Sequence, residues 1–115
     1  MSLRFQADAD LNPAIGIGLR RREPSIDFRA AAGVMPDGAP DLDVLREAAE
    51  AGRVLVSRDI GTMPGHFADF IRQQESPGLL LIPSQRPIGN VIEGLLLVWM
   101  IWTEEELLNQ ARWLP

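Results

Sequence analysis

Arg53-Val54-Leu55-Val56-Ser57-Arg58-Asp59 is the stretch that most limits what this chain can become. Val54-Leu55-Val56 is too short for a helix and follows Gly52, a helix stop, so it reads as a buried strand. Strands buried on both faces belong to parallel sheets covered by helices. Asp59 then falls where such a strand releases its chain at the carboxyl edge, the edge at which open α/β sheets bind ligands. An earlier stretch has the same form: Leu3 to Ala7 alternates and ends at Asp8. Asp8 and Asp59 are expected to converge on that edge and, with a third acid, to hold a divalent metal.

The remaining chain alternates in the same way. Asn12-Pro13 opens a helix, with Asn12 as cap and Pro13 at its first position, and the helix ends in Arg20-Arg21-Arg22. Gly16 and Gly18 on so short a helix suggest close packing on a sheet. Residues 25–29 form a plausible second strand, and Ala30 to Ala39 is a loop carrying Gly33, Pro36 and Asp37-Gly38. Asp41 is expected to cap a helix whose Leu42, Leu45, Ala48 and Ala49 fall at helical spacing. A further helix is expected from about Pro64 to Gln74, capped by Thr62 or Asp59. Leu79 to Ile82 is a continuous apolar strand, Ile88 to Trp102 a long apolar helix, and Thr103 with Glu106 a capping box for a short one to about Asn109. Residues 111–114 read as an edge strand. This order predicts βαβ units with right-handed crossovers and a mostly parallel sheet covered on both faces.

Composition narrows the function classes. A chain of 115 residues fits one domain with a real core, and 46% hydrophobic with 23% charged residues fits a soluble globular protein. The absence of cysteine excludes a disulfide framework, a thiolate zinc site and a cysteine nucleophile, and it fits a reducing, cytoplasmic setting. No signal peptide is expected, because the first apolar run is short and carries Arg4, Asp8 and Asp10. Met1-Ser2-Leu3 reads equally as native sequence or as an added remnant. The longest apolar run, Val91 to Trp102, falls short of the roughly 20 residues a spanning helix needs, so no membrane partner is expected. A net charge of −5 argues against a passive nucleic-acid coat but permits an enzyme whose acids cluster around cations. The eleven basic residues are all Arg, which genome composition explains, although Arg is also the better bidentate phosphate ligand.

The acids carry the chemical argument. Asp8 and Asp10, two apart, share a face if the chain stays extended. Asp41 and Asp43 repeat that spacing at a helix start. Clustered carboxylates suit Mg²⁺ or Mn²⁺, hard cations that take oxygen ligands and keep several waters. The competing reading makes Asp41 and Asp59 caps and turn formers. His66, the single histidine, is either a packing residue or a proton shuttle at the Asp59 edge. Ser57 lacks the glycine elbow of a hydrolase nucleophile. Gly16-Ile17-Gly18 lacks the third glycine of a dinucleotide fingerprint. Trp99 and Trp102 lie three apart and share a helix face, suited to core or dimer packing.

Taken together, three segments resemble the small PIN-like proteins, a family often associated with toxins. They are Phe5-Gln6-Ala7-Asp8-Ala9-Asp10-Leu11, Pro40-Asp41-Leu42-Asp43-Val44-Leu45 and Gly52-Arg53-Val54-Leu55-Val56-Ser57-Arg58-Asp59. Thr62-Met63-Pro64-Gly65-His66 and Arg86-Pro87-Ile88-Gly89 extend the resemblance over nearly the whole chain. It implies a single PIN-like domain over 1–115, folded as a three-layer α/β/α sandwich with a mostly parallel central sheet. It also implies an Mg²⁺- or Mn²⁺-dependent endoribonuclease of the kind found in toxin–antitoxin pairs, with RNA as substrate and an antitoxin protein as partner. Carried across position by position, Asp8, Asp41 and Asp59 become the catalytic metal ligands. Asp10, Asp43, Arg58, Thr62 and His66 are expected to back those ligands or touch the substrate, and the Arg20 to Arg22 run is a second candidate for the RNA backbone. Ile60-Gly61-Thr62 follows Asp59 where such sequences often continue with another acid or Phe, so a fourth carboxylate is not expected there. The alternative is a non-catalytic PIN-like module that forms a homodimer or binds a partner through the apolar helix at Val91 to Trp102.

Overall fold

The computed structural model describes residues 2–115; Met1 lies outside them. Ten elements follow one another: β1 (Arg4–Ala7), α1 (Pro13–Arg22), β2 (Asp27–Arg29), α2 (Asp41–Glu50), β3 (Val54–Ser57), α3 (Met63–Phe70), β4 (Leu79–Leu81), α4 (Ile88–Ile101), α5 (Glu104–Leu107) and β5 (Ala111–Trp113). The five strands form one sheet in the order β2-β1-β3-β4-β5, and every neighbouring pair is parallel. The expected α/β class and parallel pairing are therefore observed. Among the described residues, no helix is long and apolar enough to cross a membrane.

The pleat sorts the core. Phe5, Val54, Val56, Leu80 and Ile82 join one apolar cluster with Leu3, with Ile15 and Leu19 of α1, and with Val91, Leu95 and Val98 of α4. Leu55, Leu79 and Leu81, the alternate residues of β3 and β4, join the other with Leu45 of α2 and Met63, Phe67 and Phe70 of α3. β3 and β4 are buried at every position, which is why they read as unbroken apolar runs.

The two glycines of α1 permit its packing. A Cβ on Gly16 would stand 3.1 Å from the Phe28 ring of β2, and one on Gly18 would stand 2.5 Å from Ile92 of α4. Gly18 thus serves a helix contact rather than the expected sheet contact. That contact bears on topology. The chain moves the same way across the sheet from β3 to β4 and from β4 to β5, yet α3 and α4 join different clusters. The β4–β5 connection therefore has the opposite hand to the β3–β4 connection, against the uniform right-handed rule expected from sequence.

Local signals set most element ends. Asn12 Oδ1 accepts the Ala14 N–H at 2.9 Å and Pro13 begins α1. Thr103 and Glu106 form a complete capping box on α5. Two expectations fail. Asp41 is not the cap of α2: Pro40 holds that position, no side chain caps the helix, and Asp41 is its first residue. α3 ends at Phe70 rather than near Gln74, because Arg72 N and Gln73 N bond three residues back, to the Asp69 and Phe70 carbonyls at 3.3 and 3.1 Å, which breaks the four-residue ladder.

Candidate functional site

The strand order fixes where a site can lie. β1 has β2 on one side and β3 on the other, so the chain leaves these strands in opposite directions and opens a crevice at their carboxyl ends. Asp8 directly follows β1, and its N–H continues the ladder to the Val56 carbonyl at 2.9 Å. The chain then turns, with Leu11 N donating to the Asp8 carbonyl at 3.1 Å. That turn separates Asp8, which is 7% exposed, from exposed Asp10, so the extended same-face pairing does not form.

Asp8 is held on both oxygens. Oδ1 accepts the Ala9 N–H at 2.8 Å, and Oδ2 accepts the Ser57 hydroxyl at 2.7 Å. Burial pushes its carboxyl above the ordinary aspartate range. The Ser57 and Ala9 bonds pull it back, and the negative fields of Asp10 and Asp41 raise it further. Ser57 is itself fully buried, and its oxygen accepts the Asp59 N–H at 3.0 Å. One hydroxyl thus ties the acid after β1 to the backbone of the acid after β3.

Asp59 makes an Asx-type turn. Its Oδ1 accepts the N–H groups of Gly61 at 3.2 Å and Thr62 at 2.9 Å, and its Oδ2 accepts the Thr62 hydroxyl. The Thr62 hydroxyl, then the Thr62 N–H, hold the Asp59 carboxyl below the ordinary range. The same Thr62 Oγ1 lies 3.4 Å from Asp41 Oδ2, and His66 Nε2 lies 3.7 Å from that oxygen. A hydroxyl has one proton, so Thr62 serves Asp59 or Asp41 at any moment. Freed from capping, Asp41 faces the β3 turn across the sheet edge.

Asp8, Asp10, Asp41 and Asp59 line one cavity of about 450 Å³. Asp43 does not join them; it pairs with Arg46 at 3.1 Å, one helical turn on. Arg58 is exposed and outside the cavity lining. Of the Arg run, Arg20 lines the cavity, with Nη1 on the Phe28 carbonyl at 3.0 Å, while Arg22 pairs with Glu93 at 2.6 Å.

Four residues that the sequence pattern does not mark also shape the site: Ser57, Gln6, Arg29 and Glu47. The usable signal for Ser57 is a polar residue closing a fully buried apolar strand. Gln6, 3% exposed, donates from Nε2 to the Ala7 carbonyl at 2.8 Å and accepts from Arg29 Nε. Arg29 Nη2 in turn donates to Glu47 Oε1 at 3.0 Å. Gln6 and Glu47 both line the cavity.

Among the described residues, no three His, Asp or Glu side chains form a ready-made metal cage. The charged oxygens that line the edge are the carboxylates of Asp8, Asp10, Asp41 and Asp59. That chemistry fits Mg²⁺ or Mn²⁺, which bind through one or two carboxylates with water filling the remaining positions.

The fold and site together define an α/β protein with an all-parallel sheet and an acidic cavity at its topological switch point. No family model matches the chain, and no curated protein or solved structure does either.

Proposed function

We propose that this protein is a PIN-like, three-layer α/β/α endoribonuclease that works with Mg²⁺ or Mn²⁺ in the cytoplasm, as the toxin of a toxin–antitoxin pair. The observation that carries the reading is the relay Asp8–Ser57–Asp59–Thr62–Asp41, which links acids from three separate segments at the switch-point crevice. Six carboxylates and one Arg line the cavity, so an RNA phosphate enters it only with a cation.

Asp8, Asp41 and Asp59 would hold that cation. When bound, it supplies charge neutralisation for a phosphodiester transition state and acidifies a water. The chain's own residues prepare the place. Ser57 aims Asp8, the Thr62 hydroxyl stands between Asp59 and Asp41, and His66 stands beside Asp41. Exposed Arg58, next to Asp59, is suited to RNA backbone contact at the rim.

The test is calorimetric titration with Mn²⁺ alongside cleavage of a single-stranded RNA. Asp8→Asn and Asp59→Asn are expected to weaken Mn²⁺ binding and abolish metal-dependent cleavage. Cleavage that survives both substitutions ends the proposal.

A second reading, a non-catalytic module that associates through α4, draws on one observation. Leu97, Met100 and Ile101 are 45%, 73% and 61% exposed. Trp99 and Trp102 pack against the core instead, so the aliphatic residues are the ones that would meet a partner.

A further inference from the structure

The cavity, about 450 Å³, is far larger than a cation needs, and its lining extends past the carboxylates to Phe28 of β2 and to segment 30–39. Segment 30–39, which sequence leaves as a connector, supplies much of its wall. Ala31, Val34, Met35 and Ala39 all line it and are all partly buried. Two tight turns shape the segment, Val34 N to the Ala31 carbonyl at 3.1 Å and Ala39 N to the Pro36 carbonyl at 3.2 Å. Gln6 Nε2 reaches its first carbonyl, that of Ala30, at 3.4 Å. Phe28 also lines this part of the cavity.

Two polar groups on the same side are fixed but not exhausted. Arg20 spends Nη1 on the Phe28 carbonyl and retains further N–H donors. Glu47 spends Oε1 on Arg29 and retains Oε2 as an acceptor. The bay therefore offers apolar walls with Arg20 as a donor and Glu47 as an acceptor among its polar groups, in a cavity of the size that holds small molecules. Six carboxylates disfavour an anion here. An uncharged occupant that fits is largely apolar on its faces and carries both donors and acceptors on its edge.

We propose that this bay receives a nucleobase: one nucleoside of the RNA lies under segment 30–39, with its adjoining phosphate toward Asp8, Asp41 and Asp59. The proposal rests on the ribonuclease reading for the phosphate end only. The base end stands on the bay itself.

The test titrates the folded full chain with the four unmodified ribonucleosides, which carry no phosphate, and separately with Mn²⁺, following both by calorimetry and backbone NMR. Val34→Trp adds bulk to the bay wall and leaves every carboxylate residue in place, and Ala39→Leu is a milder filling should the first variant fail to fold. In the wild type, at least one nucleoside is expected to bind and to shift the amides of residues 30–39. Filling the bay is expected to weaken that binding by about tenfold or more, the scale of one lost base contact, while Mn²⁺ binding is unchanged. No nucleoside binding to the wild type, or equal binding to the folded filled variants, overturns the proposal. Nucleoside binding that needs the open bay in a protein that takes up no Mn²⁺ supports the base site and removes the ribonuclease reading instead.

Discussion

Ser57 Oγ donates to Asp8 Oδ2 at 2.7 Å while accepting the Asp59 N–H at 3.0 Å, so one buried hydroxyl fixes the two strand-end acids against each other. The partners Ser57 and Asp8 are 49 residues apart in the chain and are brought together by the β1–β3 register, in which Ala7 lies beside Val56. A buried carboxylate is costly unless its oxygens are satisfied. The Ser57 hydroxyl and the Ala9 N–H each donate to one oxygen of Asp8 and so offset part of that cost.

Replacing Ser57 with Ala removes the donor and leaves Asp8 Oδ2 buried without it. At neutral pH a loss of about 1–3 kcal/mol is expected in urea unfolding. The loss should shrink in acid, where a protonated Asp8 no longer needs the donor. An equal loss at both pH values would contradict the role assigned to this bond.

Asp8 also sets a pH dependence. Its folded pKa is raised above the reference value of 3.8, mainly by burial, so the folded state binds more protons than the unfolded state above that value. The stability it contributes is complete below the reference value and is lost as pH rises through the folded pKa. Asp8→Asn abolishes this term. The stability of the variant relative to wild type should therefore increase as pH rises from the reference value through the folded pKa, as read by thermal melts across that range. Asp59 acts oppositely: its pKa is lowered, so its contribution is present above 3.8 and is lost as pH falls through the folded value.

The Thr62 hydroxyl is the first cause of the depressed Asp59 pKa. Thr62→Val keeps the side-chain shape and deletes that donor. Carboxyl NMR titration should find the Asp59 pKa moved upward, with the fold intact. An unmoved pKa would show that the backbone N–H groups alone hold this carboxylate.

Two glycines should respond with opposite sign to the same change. Gly78 has φ +130°, and a Cβ there would meet the Leu107 carbonyl oxygen at 2.6 Å. Gly78→Ala is expected to cost about 2 kcal/mol or more. Gly65 lies inside α3 with nothing within 4 Å of an added Cβ, so Gly65→Ala should stabilise by up to about 1 kcal/mol. Denaturant midpoints of the two variants decide the matter.

The exposed face of α4 gives a separate prediction for the association reading. Met100→Glu with Ile101→Glu should leave the melting temperature nearly unchanged, because both side chains face outward. If α4 mediates self-association, the doubly substituted chain should be lighter in solution by light scattering. An unchanged mass removes the homodimer through this face.

Much of the architecture is local and therefore readable in the sequence alone. β3 and β4 are written as apolar runs because they are buried on both faces. Asn12-Pro13 and Thr103 with Glu106 declare helix starts because a cap and its partner lie within one turn. The positions of Asp8 and Asp59 at strand ends follow from the same runs. Other features depend on partners distant in sequence. Asp41 looks like a cap, yet Thr62, 21 residues away, and His66 are the groups that face its carboxylate. α4 joins the cluster of α1 because Gly18 lets Ile92 approach, a contact no local pattern announces. Segment 30–39 reads as a loop from its turn residues, and only its path over the β2 end makes it a cavity wall. Short-range hydrogen bonding and side-chain periodicity chose the elements. Sheet register and helix packing chose which side chains meet, and so decided the site.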